Sequence, residues 1–185
     1  MPISYLQEHG QFWLVFDVVA APEIAEHVAN KPNTAPMQPL FLGTHFEHLL
    51  EFSPCMVKID DLSSTLNLIR ELPNAQKCCL IFCFPDAISE AEVFLHFQQL
   101  IQAHIHGQPS LFRFFSQSFW VNTAKELTHS DLSIILGDAS HIFWFDHCGR
   151  LSSLNSDDSS TYHRNYPYSL DSPVLLQWFI NDSYI

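Results

Sequence analysis

Histidine, cysteine and paired carboxylates are the residues through which this chain could do chemistry, and their spacing argues against most of it. Eleven histidines are present. His45 and His48 fall one turn apart on a helix, without the HExxH pattern that seats zinc on one helix face. His104 and His106 sit two apart at a helix end and so diverge, while His141, His147 and Cys148 flank a strand. A metal site would need ligands from distant segments, so scattered surface or core histidines are expected, with no metal and no cofactor. Cys55, Cys78, Cys79, Cys83 and Cys148 are odd in number and mostly lie in apolar runs, which reads as buried free thiols. Cys78 and Cys79 face opposite ways on a strand and cannot act together. No GxSxG elbow is present, and Asp60-Asp61 and Asp157-Asp158 read as a helix cap and a solvated loop. The glycines (Gly10, Gly43, Gly107, Gly137, Gly149) are isolated, so no phosphate-cradling loop forms. No catalytic residue is expected, and the chain reads as a non-enzyme.

Aromatic side chains are what the sequence has in quantity: 16 Phe, 4 Trp and 5 Tyr. Phe112, Phe114, Phe115, Phe119 and Trp120 surround Arg113, in a chain with only eight Lys and Arg. As a strand, this segment points Phe112 and Phe114 one way and Leu111, Arg113 and Phe115 the other. A guanidinium on an apolar face keeps its charge and must find acceptors or an exposed edge. The segment therefore belongs either in a core held by an ion pair, with Asp17 or Asp138 as partner, or at a binding surface. Two further clusters, Pro39 to Thr44 and Ile142 to Phe145, have the same two readings, core packing or protein-binding hot spot.

The elements that must position these residues are strands at about 11–18, 54–60, 78–84, 110–116 and 141–146. Pro22 opens a helix through Ala29. Thr44 to Glu47 and Ser89 to Glu92 both have the capping-box pattern. The second starts a helix with Val93, Phe94, Phe97, Leu100, Ile101 and Ile105 on one face and Gly107 as its stop. Asp60 or Asp61 caps another helix ending at Pro73, and short helices fill 118–127 and 130–136. Residues 152–161 read as a flexible loop, followed by an apolar helix from Pro173 through Ile180. The fold class is α/β: a mixed sheet of about five strands covered by helices, with a short C-terminal helical appendage. Residues 1–149 form the main domain and 150–185 the loop and appendage.

The formal net charge is −12, and no two basic residues are adjacent. Without a basic stripe, nucleic-acid binding is not expected, and an anionic membrane surface would repel the chain. Met1 to Glu8 lacks the basic start and apolar run of a signal peptide, so a soluble cytoplasmic domain is expected.

In order along the chain, these segments resemble the type VI secretion effector adaptor/chaperone family, domain of unknown function 4123. The family's opening strand ending in Asp is similar to Phe12 to Asp17. Its Pro-Leu-Phe and Gly-Thr block is matched by Pro39 to Thr44, including Phe41, Gly43 and Thr44, and its next strand by Pro54 to Ile59. Its Phe-Arg-Phe-Tyr motif is matched by Phe112 to Phe115, and its closing pattern resembles Leu136-Gly137-Asp138 followed by Trp144. The usual Asp-Pro-Arg is replaced by Ser116-Gln117-Ser118. The resemblance implies a cytoplasmic, non-enzymatic protein that binds a secreted effector and helps load it onto a VgrG-type spike protein. An immunity protein or inhibitor that masks a toxin is the alternative. Asp17, Phe41, Gly43, Thr44, Phe112, Phe114, Gly137 and Trp144 become structural-motif residues under this resemblance. Arg113 is expected as an anchor inside a core strand. Arg113, Phe115, Ser116, Phe119, Trp120 and Phe143 are the candidate partner-binding residues, the flank from Ser116 to Trp120 above all.

Overall fold

A strand buried on both faces is apolar along most of its length, as Phe12 to Phe16 and Cys79 to Phe84 are. β1 (Gly10–Phe16) and β4 (Cys79–Pro85) are buried along nearly their whole length. The structure is a computed structural model that describes residues 10–30, 35–72, 74–156 and 165–182. The remaining strands are β2 (Gln38–Pro39), β3 (Cys55–Ile59), β5 (His104–Ile105), β6 (Gln108–Pro109), β7 (His141–Phe145), β8 (Leu151–Asn155) and β9 (Ser169–Leu170). β1 and β4 lie at the centre of a six-stranded antiparallel sheet, in the order β2-β3-β1-β4-β7-β8. A three-stranded sheet, β6-β5-β9, contains the parallel pairing, between β5 and β9. The fold is α/β as expected, with one strand more in its main sheet than the sequence implied.

Alternation divides the core in two. Trp13, Val15, Phe82, Phe84, Ile142 and Trp144 face one cluster. Phe12, Leu14, Phe16, Ile81, Cys83 and Phe143 face the other. The second face is covered by α1 (Pro22–Asn30), α2 (Leu62–Glu71) and α3 (Ala75–Cys78), through Ile24, Leu66, Ile69 and Ala75. The first is covered by α4 (Glu90–Ile101), α5 (Gln117–Thr123), α6 (His129–Leu136) and α7 (Pro173–Asp182). No described helix is long and apolar enough to cross a membrane.

Local chemistry explains the boundaries. Ser89 and Glu92 form the capping box that starts α4. Asp61, of the two aspartates considered, caps α2 by accepting from the Ser64 N–H at 3.1 Å. That helix ends at Glu71; Pro73 lies outside the described residues. Thr44 is not a helix cap: its hydroxyl donates to the Phe41 carbonyl at 2.8 Å and accepts the Phe46 N–H at 3.1 Å. It thereby closes a turn before a short 3-10 helix, Glu47–Phe52. Gly107 does not stop α4 either, because the helix ends at Ile101 and Ile105 enters β5. His106 (φ 48°) and Gly107 (φ 77°) instead make the positive-φ pair that turns the β5–β6 hairpin.

Two expected elements differ. Residues 152–155 belong to β8, paired with β7, where a loop was expected; Ser156 follows the strand, and 157–161 lie outside the described residues. Residues 110–116 form no strand. The Phe112 N–H donates to the Ile101 carbonyl at 2.9 Å, and the Ser116 N–H to the Arg113 carbonyl at 3.1 Å. That turn cancels the alternation, so Phe112, Phe114 and Phe115 all enter one cluster while Arg113 is exposed. Arg113 therefore lies at the surface and not inside a core strand. Asp17 engages its own turn, accepting the Val19 and Ala20 N–H groups at 2.9 and 3.2 Å.

Candidate partner-binding site

The segment after α4 makes one side of an open groove. The β5–β6 hairpin returns the chain so that Pro109 and Leu111 line the groove together with His45 and Phe46. Gln102 and His104 line it between them, and Tyr166 and Pro167 complete it. Its volume is about 540 Å³, within the range of small-ligand and side-chain pockets (about 300–1,000 Å³). The His45 wall is fixed from the helix: the His45 N–H donates to Gln102 Oε1 at 3.4 Å, and Gln98 donates to the Leu40 and Leu42 carbonyls. Gly43, at φ 73°, makes the bend that lets this loop turn back. Near these contacts apolar side chains reach solvent, among them Leu42 on the loop and Leu95 one turn before Gln98. Tyr166, on the groove itself, is 53% exposed. Leu50 and Phe52 on the 3-10 helix are also exposed.

Of the residues singled out in the sequence, Arg113 and Ser116 keep solvent contact, and Arg113 lies two residues beyond Leu111 of the groove. Phe115, Phe119 and Phe143 do not offer a surface, and Trp120, though buried, borders a cavity beside β8. All four are at most 4% exposed, which corrects their reading as contact residues. Phe119 packs edge-on against Trp178 at 5.2 Å, and Trp120 lies 5.6 Å from Trp144. Trp120 Nε1 donates to the Phe114 carbonyl at 2.7 Å, joining the turn to α5. Phe143 stacks on the ring of His141 at 6.0 Å. The structural-motif residues Phe41, Phe112, Phe114 and Trp144 are buried, and Gly43 and Gly137 both have positive φ.

A second polar centre lay outside what the sequence showed. His96, buried on α4, donates from Nε2 to the Ile135 carbonyl at 3.1 Å and meets the Tyr168 hydroxyl at 3.2 Å through Nδ1. On α6, buried Asp131 accepts the Asp171 and Ser172 N–H groups at 2.9 and 2.6 Å. These bonds dock the strand leading to α7 onto α6. His96 gave no sequence signal beyond being one histidine within an apolar helix face. Gln102 and Tyr166 likewise lie in no motif.

The thiols are placed for packing. Cys55, Cys78, Cys79 and Cys83 are buried, and Cys148 is exposed. Burial raises the Cys55 pKa to about 11 and pushes Cys79 and Cys83 upward as well. Such thiols stay protonated near neutral pH and are poor nucleophiles. Among the described residues, no group of three His, Cys, Asp or Glu side chains is arranged to hold a metal ion.

No curated protein and no solved structure matches the chain. A family model described as "Domain of unknown function (DUF4123)" matches residues 12–133, from β1 into α6. That span covers well over half of the 185 residues, and the chain belongs to the DUF4123 family.

Proposed function

We propose that this chain is a cytoplasmic, non-enzymatic adaptor/chaperone that binds a type VI secretion effector and helps load it onto a VgrG-type spike protein. Membership of DUF4123 over residues 12–133 carries the reading, because the motifs that resemble the adaptor family fall within that span or just beyond it. The groove's chemistry supports the reading. Its apolar walls, Phe46, Pro109, Leu111 and Pro167, can take apolar side chains of an effector segment, while His45, Gln102 and His104 offer hydrogen bonds. Exposed Leu42, Leu95 and Tyr166 extend that surface. A net charge of −12 keeps copies of the chain apart and favours a partner of opposite sign.

Coexpression with the neighbouring effector and spike tests the reading. Effector and spike are expected to co-purify with the chain, and Leu111→Arg in the groove wall should weaken effector recovery without changing the melting temperature by more than a few degrees. Absence of both partners from the purified material would sink the proposal. Rescue of cells from the effector's toxicity by inhibition of its activity would instead mark an immunity protein.

A further inference from the structure

The two edges of the large sheet are finished differently. One ends in β2, two residues long and containing Pro39, and β3 beside it carries Lys58. Short length, proline and lysine are the devices that blunt a sheet edge. The other edge is β8, five residues reading Leu-Ser-Ser-Leu-Asn, with no charge and no proline. Its hairpin closes on the Asp146 N–H, which donates to the Arg150 carbonyl at 2.8 Å. At the far end the Ser156 N–H donates to the Ser140 carbonyl at 2.9 Å. Antiparallel alternation between these points turns the backbone of Ser152 and Leu154 toward β7 and that of Leu151, Ser153 and Asn155 outward. The three outward N–H groups have no partner among the described residues.

Beside this edge, on the face covered by α5, a cavity of about 370 Å³ opens between Val121, Trp120, Trp144 and Leu154. Leu154 packs with the cluster on that face, and Leu151 with the opposite cluster. A residue on an added strand standing opposite Ser152 or Leu154 would point to the same face, toward the cavity. We infer that the β8 edge accepts an extended segment of a partner protein as a seventh strand, with an apolar side chain seated in the cavity beside Trp144. The outward backbone groups select an extended peptide, and the aromatic and aliphatic walls select its apolar side chain. The net charge of −12 favours a segment with neutral or basic flanks and opposes a second copy of this chain. The inference stands apart from the loading role, because strand addition at β8 does not depend on what the partner is for.

The test selects from random seven-residue peptides displayed on phage against the full chain, then measures affinities by calorimetry. Enriched peptides are expected to carry apolar residues at alternate positions. Ser153→Pro removes one outward N–H and leaves the β7 ladder intact, so it should weaken these peptides about tenfold. Val121→Trp fills the cavity from the helix without touching the edge and should weaken them similarly, which guards against a misfolded proline variant. Amide exchange at Leu151, Ser153 and Asn155 should slow on binding. Three outcomes overturn the proposal: no alternating peptide is enriched, the enriched peptides bind both variants as tightly as the parent, or sedimentation shows β8 pairing with a second copy.

Discussion

Replacing Gly137 by alanine asks how tightly α6 is held against α4. Gly137 caps α6 at φ 63° and ψ −124°. A Cβ there would lie 2.5 Å from His96 Cε1 and 2.7 Å from Nε2. His96 cannot move aside without loosening its bonds to Ile135 and Tyr168. The backbone term is about 1–3 kcal/mol for a side chain at such φ and ψ. Forcing a methyl into a packed site adds about 1–3 kcal/mol, giving a total near 4 kcal/mol. At about 2–4 °C per kcal/mol for a chain of this size, Gly137→Ala should lower Tm by roughly 8–16 °C. Gly43 is the internal control, since its φ is 73° and nothing lies within 4 Å of an added Cβ. Gly43→Ala should therefore cost only the backbone term, about 1–2 kcal/mol. Calorimetric or circular-dichroism melts of both variants decide the matter. Equal losses at the two positions would refute the close approach of Gly137 to His96.

Three further outcomes are expected. Trp120→Phe and Trp13→Phe remove the same volume, but only Trp120 donates to a buried carbonyl, while Trp13 Nε1 has no partner among the described residues. Chemical unfolding should show Trp120→Phe worse by about 1–3 kcal/mol, and equal losses would remove the hydrogen bond from the account. Ellman's reagent at pH 8 should find one fast thiol, Cys148, in the native protein and all five after unfolding; two or more fast thiols would contradict the packing. The Asp146 carboxylate accepts backbone N–H bonds from Arg150 and Cys148 and pairs with the Arg150 side chain, which lowers its pKa below 3.8. A depressed folded pKa stabilises above the ordinary carboxylate pKa and is lost as pH falls through the folded value. Asp146→Asn should therefore flatten part of the acid limb of the stability profile below about pH 4. An unchanged limb would contradict the clamp.

The central strands were legible because burial on both faces demands unbroken apolar runs, as in Phe12 to Phe16 and Cys79 to Phe84. The caps at Ser89 and Asp61 were legible because their bonding is local. Thr44 to Glu47 shows the limit of that locality: the same residue pattern fits a helix cap or a turn, and the preceding Gly43 bend selects the turn. The stretch from Leu111 to Ser116 misled because apolar content does not distinguish a strand from a turn that packs three rings. Contacts with α4 and α5, distant in sequence, decide that outcome. β8 was missed because Leu151 to Asn155 has too little apolar content to read as a strand without its partner β7. The groove joins residues as far apart as His45 and Tyr166, a juxtaposition only the folded chain makes.

Secretion itself tests the central proposal most directly. In a producing strain that lacks this chain, the effector should still be made inside the cell but should not reach the medium, and the wild-type chain should restore its export. Undiminished export without the chain would contradict the account.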